Sequence, residues 1–371
     1  MTGLPFPLGV PVLTDGTVTL RAHRPEDIES VYEMATDPAT QRWTGIPVPY
    51  QRSDAEEFVG RIIPAGWDTA QSLSWAIEVG GRFAGNVDIR GAGPVTDIGF
   101  VLHPGARGRG VMRAAVDLAV QYAFTEGGKE VVHWRAQVGN EASLRVAHAC
   151  GFTLHGTTPG LLYENGRLHD AWTASIRFGD APTPRTSWRS SVLEAEGVRL
   201  RPLAAHDLAP IAEACNDPVT RHYLAGLPHP YGLAQAEAYR ADSIWQAAAG
   251  TKETWAVCDP KTDGLLGTVA VMGLRGVDDG SGEIGYWTHP SARGRGITIA
   301  AVRATVDHAF SPEGLDRRRL TLYAAAGNDP SNAVARAAGF TAFGTQHSAE
   351  PLGDGTVDDL VGYEFVRPRP R

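Results

Sequence analysis

Two stretches of this 371-residue chain carry the same basic, glycine-rich segment, a combination suited to binding anions. Residues 103–110 read HPGARGRG, and residues 289–296 read HPSARGRG. In both places an alternating pattern that predicts a strand precedes the loop, and apolar residues at helical spacing follow it. Unpaired N–H groups at a helix start attract anions, glycine lets the backbone approach them, and arginine adds charge. We therefore predict that each loop binds a phosphate-containing ligand, and a pyrophosphate fits this description best.

Two common nucleotide-binding motifs do not account for these loops. The chain has no GxxxxGK[ST] segment, which rules out a P-loop. Residues 280–285 read GSGEIG and match GxGxxG by letters, but they lead into a predicted strand, whereas the dinucleotide fingerprint opens a helix. The remaining alternative is a solvated basic turn, which the presence of two copies in the same context disfavours.

The loops belong to a tandem duplication that covers nearly the whole chain. Residues 97–124 and 283–310 are identical at about half of their positions, and further matches follow in the same order on both sides. A repeat of this length is a whole domain and not a solenoid unit. We predict two domains, residues 1–180 and 192–371, joined by a linker at 181–191 that is rich in Pro, Ser and Thr.

Composition and charge narrow the range of functions. The chain is 43% hydrophobic and 20% charged, which is ordinary for globular domains, and its net charge of −8 disfavours nucleic acid or an anionic membrane as a partner. No secretory signal and no apolar run of about 20 residues is evident. The three cysteines form no CxxC pair, and no histidine spacing indicates a metal site. We expect a cytoplasmic protein without a metal.

Each copy shows the same order of predicted elements, β-α-α-β-β-β-α-β-α-β-β. This order predicts an α/β fold in which a mixed, mostly antiparallel sheet is flanked by helices. The predicted segments of the first copy are strands at 17–21, 74–79, 83–89, 97–102, 131–137, 152–154 and 172–178, and helices that begin near residues 25 and 54 or span 111–124 and 141–149.

The RGRG loop after a strand, with Asn140, Ser143 and a Gly-Phe pair downstream, resembles the GCN5-related N-acetyltransferase (GNAT) superfamily. The nearest branch is the ribosomal-protein-alanine acetyltransferase-like one, and the resemblance covers nearly the whole chain, twice. It implies two tandem GNAT-like domains that move an acetyl group from acetyl-CoA to a primary amine by direct attack, without a metal. The implied partner is a small-molecule or peptide amine, and the chain would be a monomer with pseudo-dimeric tandem domains or a homodimer.

The resemblance also implies which residues contact acetyl-CoA. Those at the pyrophosphate would be Arg107, Gly108, Arg109, Gly110 and Met112 in the first copy, and Arg293, Gly294, Arg295, Gly296 and Thr298 in the second. Those beside the pantetheine arm would be Phe100, Val101, Leu102, Tyr286, Trp287 and Thr288. Asn140 and Asn328 would bind the cofactor, cap the following helix, or do both. Met112 departs from the small residue usual in the family, so it could crowd the pyrophosphate.

Direct attack needs a group that takes the proton of the amine and a donor near the departing thiolate. Asp97 and Glu283 lead into the key strands, where a carboxylate could face the amine; the alternative is a surface charge at a strand edge. For Ser143 and Ser331 the resemblance suggests a hydroxyl near the sulfur of CoA. The alternative for these serines is a hydroxyl that bonds to the local backbone at a helix start.

Two other functions stay open at this point. One is a transferase that uses another acyl-CoA donor on the same fold. The other is a non-catalytic sensor or scaffold that binds acyl-CoA, which would retain binding but release no thiol with any amine. The sequence does not identify the acceptor amine.

Overall fold

The computed structural model describes residues 9–188 and 191–367, so residues 189–190 of the predicted linker and both chain ends lie outside it. The chain divides into two units, Met1–Arg185 and Thr186–Arg371. This division falls inside the predicted linker, whose two sides bond to different units. Arg185 Nε donates to the carbonyl of Gly151 at 3.0 Å, and the Thr186 hydroxyl donates to the carbonyl of Ala248 at 2.5 Å.

In the described part of the first unit, eight strands form one sheet. They are β1 (Leu13–Thr14), β2 (Val18–Arg21), β3 (Ser72–Val79), β4 (Arg82–Arg90), β5 (Val95–Leu102), β6 (Val131–Gln137), β7 (Thr153–Glu164) and β8 (Arg167–Arg177). The α-helices are α1 (Ile28–Thr36), α2 (Pro38–Trp43), α3 (Arg52–Glu57), α4 (Ile63–Thr69), α5 (Val111–Thr125) and α6 (Glu141–Ala149). The predicted fold class is confirmed, although the final hairpin is much longer than the sequence pattern indicated.

The second unit repeats this plan, again with eight strands in its described residues. They are β9 (Leu193–Ala195), β10 (Val198–Arg201), β11 (Lys252–Cys258), β12 (Leu265–Met272), β13 (Ser281–Thr288), β14 (Arg319–Ala325), β15 (Thr341–Pro351) and β16 (Val357–Val366). The helices are α7 (Leu208–Asn216), α8 (Pro218–Tyr223), α9 (Leu233–Ala249), α10 (Ile297–Phe310) and α11 (Asp329–Ala337). The continuous α9 replaces α3 and α4, which a π-helical stretch at Phe58–Ile62 separates.

The strand order is β1-β2-β3-β4-β5-β6-β8-β7 in the first unit and its equivalent in the second. Neighbouring strands pair antiparallel, except that β5 pairs parallel with β6, and β13 with β14. A parallel pair needs a crossover connection. Here the crossover consists of the basic loop and the helix α5 or α10. The duplicated motif therefore lies where strand pairing changes from antiparallel to parallel.

Alternate residues of the central strands face different helices. In the second unit Ile284 and Leu322 share a buried cluster with Val302 of α10. Trp287, whose parity along β13 is opposite to that of Ile284, packs instead on the cluster that contains Ile211 of α7. Because successive side chains of a strand point to opposite faces, the sheet of each unit is covered by α10 and α11, or their equivalents, on one face and by the earlier helices on the other.

Within residues 9–188 and 191–367, no helix combines the length and the apolar run that crossing a bilayer requires. The same ranges contain no group of three or more His, Cys, Asp or Glu side chains arranged to hold a metal ion.

A buried arginine–aspartate pair ties the start of each unit together. Arg21 at the end of β2 donates to both carboxylate oxygens of Asp27, at 2.7 and 2.9 Å. Arg201 makes the same contact with Asp207 at 2.8 and 3.0 Å. The exposed fraction of these side chains is 10% or less. Removing one member of such a pair leaves a buried charge without compensation, which is strongly destabilising.

We expect Asp207→Ala to lower the free energy of unfolding of the second unit by about 3 kcal/mol. The value lies at the low end for buried pairs because Asp263 still accepts a hydrogen bond from Arg201 Nε, at 2.8 Å. Urea unfolding followed by circular dichroism measures the loss. Glu194→Ala is the control, since its ion pair with Arg199 is exposed and such pairs contribute about 0–1 kcal/mol. Equal losses in the two variants would contradict this account.

Candidate active site

The parallel strand pair of each unit opens into a V. Strands β5 and β6 pair only through residues 95–97 of β5, and β13 and β14 only through residues 281–283 of β13, although all four strands continue further. Beyond these vertices no strand among the described residues pairs with the facing edges of the two arms. Some carbonyls near the ends of the arms accept other bonds, from Arg107 at Leu102 and from Asn332 at Ala325, at 3.3 and 2.9 Å. The remaining backbone groups along these edges have no strand partner and are placed to bind a ligand. Residues 100–102 and 286–288, predicted to lie beside the pantetheine arm, are on these open arms.

The helix that follows each open arm starts without a side-chain cap. Gly110 before α5 has φ 76° and Gly296 before α10 has φ 74°, and no side chain within residues 9–188 and 191–367 caps either helix start. Gly108 and Gly294 are also left-handed, at 72° and 71°, and a Cβ atom at either would meet nothing within 4 Å. The first N–H groups of these helices therefore lack an intrahelical partner beside open space, as an anion-binding site requires.

The first arginine of each loop is held by a protein carboxylate. Arg107 Nη2 lies 2.7 Å from Asp37 Oδ2, and Arg293 Nη2 lies 2.5 Å from Asp217 Oδ2. The same two aspartates cap helices α2 and α8 by accepting backbone N–H groups. This arginine therefore anchors the loop to a neighbouring helix, and the loop is preorganised by a contact that the sequence did not reveal.

The second arginine of each loop is free. Arg109 and Arg295 are exposed, and in the part of the chain that the structure describes neither has an ionic or hydrogen-bond partner. Met112 is 5% exposed, so its side chain is buried in the protein, and whether it crowds a pyrophosphate stays a prediction. Its counterpart Thr298 lies 2.5 Å, oxygen to oxygen, from the hydroxyl of Thr288. Both threonines line a small cleft at the start of α10.

The two carboxylates predicted to face the amine lie at the vertices of the Vs, but their surroundings differ. Asp97 forms an ion pair with Arg135 of β6, at 3.2 Å. Glu283 is half-buried and has no hydrogen-bond or ionic partner among the residues described. Burial raises the pKa of Glu283 above its ordinary value. Of the two, Glu283 therefore has the surroundings of a proton acceptor, since its carboxylate is neither paired nor fully solvated.

Asn140 and Asn328 cap helices. The side-chain oxygen of Asn140 accepts the N–H of Ser143 at 3.2 Å, and Asn328 accepts the N–H of Ser331 at the same distance. The capping alternative is thus present in both units. It fixes the start of α6 and α11 beside the open arm, so cofactor contact by these asparagines stays a prediction.

The hydroxyls of the two candidate serines are held by different aromatic partners. Trp134 Nε1 donates to Ser143 Oγ at 3.0 Å. In the second unit Tyr286 Oη lies 2.9 Å from Ser331 Oγ. Because the tryptophan can only donate, the Ser143 hydroxyl hydrogen remains free to bond elsewhere. Tyr286 Oη also donates to the carbonyl of Ser331, at 3.2 Å. A serine hydroxyl therefore lies close to the open arm in each unit, held by a different network.

The sequence analysis did not single out one charged side chain near the vertex of the V in the first unit. Asp88 of β4 lies directly opposite Gly99 of β5, and a Cβ atom at Gly99 would be 3.0 Å from Asp88 Oδ1. Burial raises the pKa of Asp88 to about 6, despite the nearby guanidinium of Arg90. A signal was present in the sequence, because an acidic residue in the middle of a buried strand is unusual and the second copy has Ala270 there.

A family profile described as "Acetyltransferase (GNAT) domain" matches residues 17–153 and 198–341, one segment in each unit. The chain belongs to the GNAT acetyltransferase family. It is an N-acetyltransferase with two tandem GNAT domains, as the sequence motifs predicted, and the profile covers both copies of the loop.

Among curated proteins, this GNAT chain is similar to the "Putative ribosomal N-acetyltransferase YdaF" of Bacillus subtilis, with 28% identity over 160 residues. The aligned region is 41% of this chain and 87% of the relative, which is therefore about as long as one unit.

Two solved structures show similarities of comparable extent. The ribosomal-protein-S5-alanine acetyltransferase of Vibrio fischeri is 20% identical, with a TM-score of 0.43, and the match covers 48% of this chain and 100% of that one. The ribosomal L7/L12 alpha-N-protein acetyltransferase RimL, in complex with coenzyme A, is 19% identical, with a TM-score of 0.42 and coverage of 45% and 98%.

We expect Gly296→Ala to destabilise the second unit by about 1–2 kcal/mol, because an L-residue in the left-handed conformation is strained even where space is available. Urea unfolding measures the change. Gly93→Ala is the matched control, since Gly93 has an equally open Cβ direction but no left-handed φ, and its effect should stay below about 0.5 kcal/mol. If both variants unfold like the parent chain, the strain at the helix start is not real.

Proposed function

We propose that the chain transfers an acetyl group from acetyl-CoA to a primary amine by direct attack of the amine on the thioester. The observation that carries this proposal is the uncapped, glycine-started helix at the open arm of the V, which both units contain. Unpaired N–H groups and the helix dipole favour a pyrophosphate there. The open strand edge offers hydrogen-bonding groups to an arm that contains amides.

The residues present fit the donor. In this proposal the loop N–H groups and the free guanidinium of Arg109 or Arg295 hold the pyrophosphate, while Arg107 and Arg293 keep the loop in place. Met112 and Thr298 contribute main-chain N–H groups of the first helical turn. When bound, acetyl-CoA supplies an acetyl group that is already activated as a thioester.

The proton of the attacking amine needs an acceptor at the vertex. Glu283 fills this role in the second unit, because burial raises the pKa of its carboxylate and no cation neutralises it. Asp97 occupies the equivalent place in the first unit, where Arg135 holds it. A carboxylate must be ionised to accept a proton, so turnover should fall as the pH drops through its pKa.

Charge that develops on the thioester needs donors that are already in place. Main-chain N–H groups of the open arms can stabilise the oxyanion, since no neighbouring strand uses them. Ser143 and Ser331 would donate to the departing thiolate. Preorganised donors of this kind act without reorganising during the reaction.

A covalent enzyme intermediate has little support in this chain. All three cysteines are free and buried. Burial raises the pKa of Cys150, raises that of Cys215 to about 11 and raises that of Cys258 to about 12. Thiols of this kind remain protonated near neutral pH and are poor nucleophiles. Direct transfer within a complex of both substrates is therefore the simpler mechanism.

The acceptor we propose is the amino terminus of a peptide or protein. The support is the similarity to a relative whose printed name is a ribosomal N-acetyltransferase. Free, buried thiols suit a reducing compartment, so we place the protein in the cytoplasm.

The free arginine can be tested by titrating full-length protein with coenzyme A in a calorimeter. Arg295→Glu should weaken binding at the second site more than tenfold, because a carboxylate replaces the cation beside a pyrophosphate. Arg109→Glu should do the same at the first site, so that wild type binds two equivalents and each variant binds one. Arg82→Glu, at the exposed first residue of β4, is the control. Two tight sites in the Arg295→Glu protein would contradict this assignment.

The proposed role of Glu283 as the proton acceptor can be tested in the Arg109→Glu background. There only the second unit keeps an unaltered basic loop for acetyl-CoA. Glu283→Gln should lower kcat by about 100-fold or more, because the amide cannot accept the proton. The fall in rate toward low pH that Glu283 causes should disappear, since the amide does not titrate. Thiol release measured across the pH range gives both quantities, with Glu194→Gln as the control. Wild-type kcat in the Glu283→Gln protein would mean that the base lies elsewhere.

A further inference from the structure

One face of each V differs sharply between the two units. We define the vertex face as the side of the sheet that carries Asp97 in the first unit and Glu283 in the second. Strand alternation adds every second residue of the neighbouring strands to this face. The ion pair between Asp97 and Arg135 confirms that β6 contributes Arg135 to it. The face borders the open arms, so an acceptor that reaches the thioester from this side must lie against it.

The duplicated strands can be aligned residue by residue. Gly85 of β4 and Gly267 of β12 have φ 156° and 159°, and a Cβ atom at either would lie 2.4 Å from a carbonyl oxygen of the next strand. Both are the residues at which that strand pairs with the end of β5 or β13. The equivalent vertex-face positions of the first and second units are therefore Asn86 and Thr268, Asp88 and Ala270, Arg90 and Met272, Arg135 and Tyr323, and Gln137 and Ala325.

In the first unit the vertex face is built from hydrogen-bonding groups. Asp88 Oδ2 lies 3.0 Å from Arg90 Nε, and Asn86 Nδ2 lies 3.4 Å from Asp88 Oδ1. On the other arm Gln137 is 5% exposed and accepts a hydrogen bond from Arg42 at 3.3 Å. The Gln137 amide nitrogen donates to Glu164 Oε2 at 2.5 Å. Of these groups, Asp88 and Arg90 lie beside Gly99, which has no side chain to cover them.

One polar contact beside this face is incomplete. His23 lies close to the Asn86 side chain, but Asn86 Oδ1 and both ring nitrogens of His23 are buried without a well-aligned hydrogen bond within the described residues. His23 lies against Phe58 and Phe83, with ring centroids 6.1 and 6.2 Å away, and burial lowers its pKa to about 4, so the ring is neutral. Unpaired buried donors and acceptors are unfavourable, and a ligand that carries complementary groups relieves them.

In the second unit the same positions are mostly apolar. The terminal methyl of Met272 lies 3.0 Å from where a Cβ atom of Gly285 would be, in the place that Arg90 occupies in the first unit. Tyr323 packs edge-on against Phe343, with centroids 6.1 Å apart. Charge remains toward the vertex end of the described face, at Glu283, at Lys252, which pairs opposite Met272, and at the ion pair of Arg319 with Glu364.

We infer that the two units take different acceptor amines: the first an amine whose adjoining side chain forms hydrogen bonds, the second one whose adjoining side chain is apolar. This inference rests on the proposed function, because it specifies the acceptor of the same sites. A site built to hydrogen-bond its substrate strongly rejects an analogue that lacks the group, and an apolar pocket favours the side chain that needs no desolvation. Asp88 in the first unit and Ala270 at the equivalent position of the second set the preference of their own unit.

The test uses full-length protein and two peptides that are identical except for the first residue, Leu in one and Asn in the other. These side chains have nearly the same shape, so their difference reports polarity. In the Arg295→Glu background, where the first unit retains its donor loop, kcat/KM should favour the Asn peptide about tenfold or more. In the Arg109→Glu background it should favour the Leu peptide by a similar factor.

Matched variants are obtained by giving each unit the residue that the other unit has at position 88 or 270. Asp88→Ala should move the preference of the first unit toward the Leu peptide, and Ala270→Asp should move that of the second toward the Asn peptide. Ala270 is 6% exposed, so Ala270→Ser, which adds only a hydroxyl, provides a second test if the aspartate prevents folding. Calorimetry without donor adds a readout independent of turnover. Wild type should bind one equivalent of each peptide, and Asp88→Ala should lose only the Asn site.

The outcomes separate this inference from the proposed function. If both loop backgrounds release thiol with the same peptide preference, or only one of them releases thiol, acetyl transfer stands and the division of acceptors is wrong. If wild type releases no thiol with any amine, the proposed function fails, and the binding stoichiometries still decide the inference. Equal binding of both peptides at both sites would overturn it.

Discussion

The early separation of the one parallel strand pair in each unit is the constraint on which the rest of the site depends. Three residue pairs hold β5 to β6, and three hold β13 to β14, before the arms diverge. A strand edge in the interior of a sheet is normally used by its neighbour. Here the edge is left open beside the start of a helix whose first N–H groups also lack hydrogen-bond partners. The backbone groups of the open edge and of the helix start therefore meet at one place in each unit.

The two copies retain what holds the scaffold and differ in what an acceptor would touch. The buried pairs Arg21–Asp27 and Arg201–Asp207, and the arginine–aspartate contacts that anchor the loops, are the same in both units. The vertex faces have changed at position after position. Duplication within one chain thus provides an internal comparison between the contacts that both units contain and those that differ between them.

The sequence was sufficient to predict the duplication, the order of elements and the loops, because these depend on local patterns. Periodicity marks strands and helices, and glycine beside arginine marks the helix start. It could not predict that Asp37 would hold Arg107 from 70 positions away, since that contact depends on tertiary structure. For the same reason it did not distinguish the ion-paired Asp97 from the unpaired Glu283. Asp88 was missed because its importance follows from its position opposite Gly99 and not from any motif.

The glycine at each helix start has a consequence for how these helices could be stabilised. Serine, threonine, asparagine and aspartate cap a helix from an extended backbone, whereas Gly110 and Gly296 are left-handed and leave their helices uncapped. A capping side chain at either position would need the backbone to leave the left-handed conformation, because an L-residue is strained there. Since that change would move the neighbouring loop, neither helix can gain an ordinary cap and keep the shape of its anion site.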